Sequence, residues 1–240
     1  MKVAIHQPHY LPWLGYLAKW AAADVFIFLD TVQYERNGWQ NRNRIKTAAG
    51  PRWLTVPVCG APLATAIADV RVDASQPWRE RHRRAIEQAY AQAPYLAAHR
   101  DTLAAFYEEP WPQLAPLAAA SAEWMARAAG ITVPARLAST LGVSDPDATG
   151  RLVALCRAVG ADTYLAGRDG AAYMDVSRFA AAGISVLTQT YEHPVYVQPH
   201  GDFVPALSAV DLLLTHGHDA LGILLGGSSW SRLPPGPRAT

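Results

Sequence analysis

The sequence predicts an α/β protein with three layers, in which a mostly parallel sheet carries an inserted polar hairpin and an α-helical insertion. Short β-branched and aromatic runs recur along the chain, and helical patterns lie between most of them. This alternation is typical of a parallel sheet covered by helices. Two segments, 33–47 and 76–130, interrupt the alternation, and they predict the hairpin and the helical insertion.

Six short apolar runs are predicted to be strands, because they are rich in residues that favour an extended backbone. They span residues 3–6, 25–30, 53–59, 131–137, 163–167 and 185–191. Helical patterns span residues 13–22, 147–159 and 176–182. Gly160 and Gly183 follow the last two patterns, at the position where glycine commonly ends a helix.

The two interruptions have their own signals. Segment 33–47 contains Asn37-Gly38, which is typical of a hairpin turn, between polar stretches. Segment 76–130 is predicted to form three consecutive helices, separated near Pro94 and near the Pro110-Trp111-Pro112 cluster. The predicted organisation is the N-terminal half of the sheet with the hairpin (1–75), the helical insertion (76–130), the C-terminal half of the sheet (131–226) and a loose tail (227–240).

Length and composition are those of a globular protein. The chain has 240 residues, 50% of them hydrophobic, and a formal net charge of +1. These values argue against a disordered chain and give no overall charge to attract nucleic acid or an anionic membrane. The sequence shows no secretory signal, no membrane-spanning run and no cysteine pair with metal-ligand spacing. We expect a cytoplasmic protein with a small-molecule substrate and no membrane partner; the sequence leaves cofactor and oligomeric state open.

Polar residues follow most of the predicted strands. In chain order they are His6 and His9, then Asp30, Gln33 and Tyr34, then Ser139 and Thr140, then Arg168 and Asp169, and finally Gln189, Tyr191 and His193. Ligands bind at the carboxyl ends of the strands in open α/β sheets. If the strands are parallel, these side chains meet at one edge, which is where the sequence predicts a site.

His6 is the first candidate for a catalytic group, because an imidazole can accept and return a proton near neutral pH. The alternative is a buried neutral histidine bonded to a main-chain carbonyl. His9 is ranked just below it. Asp30 is the third candidate: it would orient a histidine, bind a substrate amine or hold a metal, with a helix or turn cap formed with Thr31 as the equally weighted alternative.

The polar hairpin is the second part of the predicted site. It supplies amides and cations, which suit carboxylate or phosphate: Gln40, Asn41, Arg42, Asn43 and Lys46. The alternative is a solvated edge hairpin. The basic segment 78–84 is predicted to be a solvated helix face, and the tryptophans and tyrosines to be core rather than base-stacking residues. P-loop, GxGxxG and GxSxG motifs are absent from the sequence, and no metal site is predicted.

Six segments of the chain carry a family resemblance: AIHQPHYLPWLGY, DVFIFLDTVQYERNGWQNRNRIK, WLTVPV, TYLAG, YEHPVYVQ and DFVPALSAVDLLLTHG. Together they resemble the WbqC-like family of bacterial proteins, and the resemblance covers nearly the whole chain to about Gly226. The resemblance implies an association with O-antigen surface polysaccharide and natural-product gene clusters. The positions that match the family are His6, Gln7, Pro8, Tyr10, Pro12, Trp13, Gly15, Tyr16, Lys19, Asp30, Gln33, Gln40, Asn41, Arg42, Asn43, Gln198, Ser208 and Asp211.

The resemblance and the polar residues together suggest a transferase that moves an acyl or aminoacyl group onto an amine of a sugar nucleotide or specialised metabolite. His6 would be the general base, Gln40 and Asn41 would stabilise an oxyanion, and Arg42, Lys46 and Arg168 would hold anionic groups. The remaining predicted substrate-binding residues are Gln7, Tyr10, Trp13, Tyr16, Gln33, Asn43, Gln189, Tyr196 and Gln198. The alternatives are a nucleotide-binding or adenylyl-transferring enzyme and a non-catalytic binding partner in polysaccharide biosynthesis. The one nucleic acid considered as a partner is a tRNA that carries the aminoacyl donor.

Overall fold

A computed structural model describes residues 1–62, 64–168, 170 and 174–234. Its main sheet contains six strands in the order β5-β2-β1-β6-β7-β8. The strands are β1 (Lys2–His6), β2 (Val25–Phe28), β5 (Ala135–Leu137), β6 (Thr163–Gly167), β7 (Ser185–Tyr191) and β8 (Ser228–Arg232). All neighbours pair in parallel except β7 and β8, which are antiparallel. The predicted fold class is therefore confirmed.

Helices cover both faces of this sheet. They are α1 (Leu14–Ala21), α2 (Trp78–Ala89), α3 (Leu96–Glu108), α4 (Leu114–Ala128), α5 (Ala148–Ala158), α6 (Val176–Ala181), α7 (Val210–His216) and α8 (Ala220–Gly226). Adjacent residues of a strand point to opposite faces. Ala4 accordingly belongs to the buried cluster under α1 and α2–α4, whereas Val3 and Ile5 belong to the cluster under α5 and α6. No helix within the described ranges is long and apolar enough to cross a membrane.

The polar hairpin is a separate two-stranded unit made of β3 (Arg42–Thr47) and β4 (Gly50–Thr55). Two details of its prediction were wrong. The run 53–59 belongs partly to this hairpin and not to the main sheet, because Leu54 alternates with the exposed Trp53 and Thr55. The hairpin closes at residues 47–50 and not at Asn37-Gly38, since the chain before that turn pairs elsewhere, through Gln33 with Ala66.

The predicted loose tail is also corrected. Residues Ser228–Arg232 form β8, which pairs with β7 from Leu187–Arg232 to Tyr191–Ser228. The segment has no apolar periodicity because an edge strand exposes much of its surface, and main-chain hydrogen bonds to β7 hold it. Residues 235–240 of the predicted tail lie outside the described residues, as does Asp169.

Candidate functional site

The strand order reverses between β1 and β6, the place where an open parallel sheet is expected to form a crevice. The chain runs from β1 to β2 and β5 on one side, and its later strands β6 and β7 lie on the other side of β1. Such a reversal separates the loops that leave neighbouring parallel strands, and ligands bind in the space between them. His6 ends β1 and Gly167 ends β6.

Four side chains with ionisable groups meet at the end of β1. We call His6, His9, Tyr16 and Lys19 the imidazole cluster. The ring centroids of His6 and His9 are 4.6 Å apart, and those of His6 and Tyr16 are 4.7 Å apart. The rings of His9 and Tyr16 stack at 5.2 Å. The cluster therefore unites the two predicted histidines with two residues of the following helix.

Local sequence explains this arrangement. Leu11 adopts a positive φ of 45°, between Pro8 and Pro12, which restrict the chain on either side. This bend lets α1 begin immediately after Trp13, its N-cap. Tyr16 and Lys19 are three residues apart in α1 and so lie on the same helical face. The helix thereby returns both side chains to the end of the strand that precedes it.

Hydrogen bonding fixes the tautomer of His6. Its Nδ1 lies 3.1 Å from the main-chain oxygen of Gln7, and a carbonyl oxygen can only accept, so Nδ1 carries the hydrogen. Burial, Lys19 and His9, in that order, lower the pKa of His6 well below its usual value, although the bond to Gln7 opposes them. The ring is thus neutral at physiological pH. Nε2 holds the lone pair and has no hydrogen-bond partner among the described residues.

His9 is less suited to exchange protons. Its side chain is 6% exposed, whereas His6 is half-buried. Burial and then Lys19 lower the pKa of both imidazoles, that of His9 to about 3, so the pKa shifts do not separate the two and the difference in exposure does. Its Nδ1 is buried and makes no hydrogen bond to any described residue. His6 is therefore the stronger candidate of the two for proton transfer.

Lys19 is the residue for which the sequence reasoning assigned no role. It is 2% exposed, and its Nζ donates to the main-chain oxygen of Ile5 across 3.3 Å. Burial lowers the pKa of Lys19 to about 7. A signal was available, because Lys19 is the one charged residue in the otherwise apolar and aromatic helix α1. Its Nζ lies between the ends of β1 and β6, bonded to Ile5 O and 3.8 Å from a Cβ built at Gly167.

The comparison with known proteins places the chain in a family. Residues 7–223 match the WbqC-like protein family. The chain belongs to that family. It is also 36% identical over 223 residues to Rv1507c, an uncharacterized protein of Mycobacterium tuberculosis, and the alignment covers 91% of this chain and 95% of the relative. No solved structure matches the chain. The resemblance seen in the sequence is confirmed.

The segment just before the hairpin of this WbqC-like protein contacts the loop that carries the imidazole cluster. Gln40 Nε2 donates to Gln7 Oε1 across 2.7 Å, and Tyr10 N donates to Trp39 O across 3.2 Å. Gln40 is 1% exposed, and its Oε1 has no partner among the described residues. Gln40 therefore bonds the side chain of Gln7, the neighbour of His6 in the chain.

Three other predicted hairpin residues hold the backbone. Asn41 Nδ2 donates to Val56 O across 2.8 Å, and Asn43 Nδ2 donates to Leu11 O across 2.7 Å. Lys46 Nζ donates to the main-chain oxygens of residues 201 and 202. All three side chains are buried, at 6% exposure or less. The structure gives them a clear part in fixing the hairpin to the body of the protein.

The outer face of the hairpin carries aromatic and cationic groups. Arg42 lies 4.4 Å from the ring centroid of Trp53 and donates to Asn37. Trp39 and Trp53 pack at 5.5 Å and are 40% and 42% exposed. The prediction that the tryptophans are core residues was wrong for these two, because Trp53 faces solvent beside Arg42 and Arg44, and Trp39 packs against Trp53.

Asp30 lies at the end of β2 and binds another loop. Its carboxylate accepts from Ser139 N at 2.9 Å and from Ser139 Oγ at 2.6 Å. These bonds cap the short 3-10 helix Ala138–Leu141 that follows β5. No hydrogen bond in the described chain joins Asp30 to an imidazole of the cluster. The geometry is that of the capping alternative.

The remaining predicted residues surround the site or lie away from it. Tyr10 OH is 2.6 Å from Tyr107 OH and 2.9 Å from His82 Nδ1, within the helical layer. The ring of Trp13 meets Tyr191 edge-on at 5.2 Å. Tyr10 is thus directed away from His6, and Trp13 covers the start of α1.

Gln189 Nε2 donates to Gly15 O across 3.1 Å and so joins β7 to the first turn of α1. Gln198 closes its own loop by bonding both main-chain groups of Val204, and Tyr196 is buried against His216 at 5.3 Å. Gln33 and Arg168 are exposed, and Arg168 directly follows β6. Of these, Arg168 and Gln189 flank the crevice by their positions on β6 and β7.

The described residues contain no group of three or more histidine, cysteine or acidic residues that could hold a metal ion. Two open clefts, of 480 and 690 Å³, lie at the start of α2 and beside the hairpin turn, and neither is lined by the imidazole cluster. These two clefts therefore do not contain the ionisable groups of the imidazole cluster. Buried, unpartnered polar groups make the cluster the better candidate.

Proposed function

We propose that this WbqC-like protein is a transferase that moves an acyl or aminoacyl group onto an amine, with His6 as general base. The observation that supports this role is the fixed tautomer of His6. Its Nδ1 is held by Gln7, and its Nε2 lone pair is unpartnered within the described chain at the end of β1. A neutral imidazole in this state can accept a proton from a bound acceptor.

The reaction would proceed by addition and elimination. The lone pair of the acceptor amine forms a bond to the acyl carbon, and the carbonyl π electrons move to oxygen. His6 Nε2 takes the proton that the nitrogen loses. When the oxyanion collapses, the bond to the leaving group breaks, and the leaving group departs with the electron pair and receives that proton. The neutral imidazole of His6 is thus regenerated in every cycle.

The structure changes how the other roles are shared in this proposal. The donor groups of Asn41 and Lys46 bind main-chain carbonyls, so the proposal no longer uses them for oxyanion or substrate binding. Gln40 remains beside the site through Gln7. Arg168 remains at the end of β6 as an exposed cation. The acceptor is proposed to be an amino group on a sugar nucleotide or specialised metabolite, following the resemblance.

The test compares wild-type protein with His6→Ala in a bacterial metabolite extract supplemented with ATP and amino acids. Mass spectrometry follows new species whose masses exceed those of amines by an acyl or aminoacyl increment. We expect His6→Ala to lower the rate by about 100-fold, since general bases contribute about 10²–10⁴. His218→Ala, at an exposed histidine, is the matched control and keeps the wild-type rate.

Two outcomes would overturn the proposal. Undiminished transfer by His6→Ala would remove His6 from the chemistry. A large fall in thermal stability of the same variant would show a core histidine, which is the structural alternative. Binding of ATP with Mg²⁺ in calorimetry, without any transfer product, would favour the nucleotide-binding function that the crevice between β1 and β6 also allows.

A further inference from the structure

Lys19 is a buried lysine with no acidic partner among the described residues. It is 2% exposed, and its one hydrogen bond in the described chain goes to Ile5 O. An ammonium group has three donors, so the remaining two are unused. No described carboxylate forms an ion pair with it. An isolated buried charge is costly unless it is paired, which makes this arrangement unusual for a purely structural lysine.

Lys46 provides the comparison within the same chain. It is also 2% exposed, but its Nζ donates to two main-chain oxygens, those of residues 201 and 202. Its charge also acts on the buried carboxylate of Asp211 and opposes the rise in the pKa of Asp211 that burial causes. Lys46 therefore has the partners that a structural lysine needs, and Lys19 lacks them.

The groups that face Lys19 come from three sides. His6 and His9 lie on the loop after β1, and both imidazoles are neutral, so they supply no negative charge. Tyr16 lies on the same helix, and burial raises the pKa of its phenol well above the usual range, so it too is uncharged. On the β6 side Gly167 has no side chain, and a Cβ built there would lie 3.8 Å from Nζ. A glycine at a strand end leaves room for a ligand.

We propose that Lys19 binds a carboxylate or phosphate group of the substrate in the crevice between the carboxyl ends of β1 and β6. This inference rests on the proposed function for the location of the substrate but not for the reaction. The ammonium supplies the charge, and the neighbouring imidazole of His6 stays neutral because a second positive charge beside it is unfavourable. Anchoring the anionic end in this way places the rest of the substrate near His6 Nε2.

Proton uptake on binding follows from this arrangement. Burial lowers the pKa of Lys19 to about 7, so a large fraction of the amine is neutral at pH 7.5. A bound anion favours the charged form and raises that pKa. The protein therefore takes up protons when it binds the anion at pH 7.5. Uptake by Lys19 falls toward zero at pH 6, where the amine is already charged; acetate is the probe for this trend, because phosphate itself gains and loses protons between pH 6 and pH 7.5.

Calorimetry with inorganic phosphate and with acetate tests the proposal at pH 7.5 in two buffers of different ionisation enthalpy. We expect at least one probe to bind with proton uptake. Lys19→Met should weaken that probe by about tenfold to a hundredfold, the range for a hydrogen bond to a charged group, and should abolish the uptake. Lys2→Met, at an exposed lysine, should change neither the affinity for the probe nor the proton uptake. Phosphate alone would indicate a phosphorylated substrate, and acetate alone a carboxylate.

The proposal is overturned if neither probe binds, or if Lys19→Met binds the effective probe as wild type does. Methionine fits a buried aliphatic position, and Lys19→Gln provides a second variant if the first does not fold. Failure of the proposed function is distinguished by the acyl-transfer assay. Lys19-dependent anion binding without any transfer product leaves this inference standing, whereas transfer that Lys19→Met leaves unchanged contradicts it.

Discussion

Tyr16 and His6 share one acceptor: the phenol and the imidazole Nδ1 both donate to the main-chain oxygen of Gln7, each across 3.1 Å. Tyr16 lies on α1, and His6 ends β1. The shared carbonyl thus joins the strand that carries the proposed base to the helix that follows it. The imidazole can donate through Nδ1 in either protonation state, and the pKa shifts of both groups favour their neutral forms.

Replacing Tyr16 by Phe should weaken the site without removing its ring contacts. The substitution deletes one of the two hydrogen bonds to Gln7 O. We expect the free energy of unfolding to fall by about 1 kcal/mol, the usual net value of such a bond, and the transfer rate to fall because His6 is held less firmly. Urea unfolding and the acyl-transfer assay measure the two effects.

Tyr90→Phe is the control for that variant. Tyr90 OH donates to Asp211 Oδ2 across 2.9 Å and accepts from Lys46 N at 3.2 Å, so its loss should also lower stability. It lies outside the imidazole cluster, and the transfer rate should be unchanged. Equal loss of rate in both variants would show that stability, and not the position of His6, explains the effect of Tyr16→Phe.

Acid should destabilise the protein through its buried imidazoles. The pKa of His9 in the folded protein is about 3, against about 6.5 in an unfolded chain. Between these values the unfolded state binds more protons, so the free energy of unfolding falls as the pH falls from about 6.5 toward 3, by at most about 1.4 kcal/mol per pH unit for each imidazole. His9→Gln should flatten this dependence in urea unfolding at pH 7, 6 and 5. His218→Gln, at an exposed site, should leave the slope unchanged.

Lys19 should make the free energy of unfolding depend on pH on the alkaline side. Its folded-state pKa of about 7 lies below the value of about 10.4 in an unfolded chain. The unfolded state again binds more protons between these values, so stability rises with pH across that window, by at most about 1.4 kcal/mol per pH unit. Lys19→Met should remove this rise when unfolding is measured at pH 7.5 and 9. An unchanged slope in the variant would show that Lys19 is charged in the folded protein.

Much of the fold was predictable because its signals are local. The runs around β1, β2, β6 and β7 are short and apolar, and the glycines after α5 and α6 mark where those helices end. The hairpin boundaries and β8 were not predictable in this way. Arg42–Thr47 and Ser228–Arg232 are held by main-chain pairing to a partner strand, and their polar composition carries no periodic signal.

The sequence predicts the place of the candidate site but not all of the residues that belong to it. His6 and His9 follow a buried strand, which predicted where the candidate site lies, and Gln40 bonds Gln7 next to His6 in the chain. Asn43 and Lys46 are also an amide and a cation of the polar segment, and the sequence does not distinguish them from ligand-binding residues. They bind main-chain carbonyls, because the direction in which the hairpin folds decides which of its faces is buried. Lys19 was missed because its importance comes from the partners it lacks, and these are visible only in three dimensions.

Gly15 should tolerate alanine badly although it lies in a helix. A Cβ at this position would overlap Cη2 of Trp13, whose ring packs against Tyr191. Alanine normally stabilises a helix interior by about 1 kcal/mol relative to glycine, but here the indole must move, and overpacking costs about 1–3 kcal/mol. We therefore expect Gly15→Ala to lower the free energy of unfolding and to change tryptophan fluorescence.

Gly222→Ala is the matched variant, because Gly222 lies within α8 and has no heavy atom within 4 Å of the added Cβ. It should stabilise the protein by up to about 1 kcal/mol in urea unfolding and leave the fluorescence unchanged. The opposite signs of the two substitutions would show that contact with Trp13 requires glycine at position 15. If Gly15→Ala stabilises the protein as much as Gly222→Ala does, the indole is free to move, and it does not constrain the first turn of α1 that presents Tyr16 to His6.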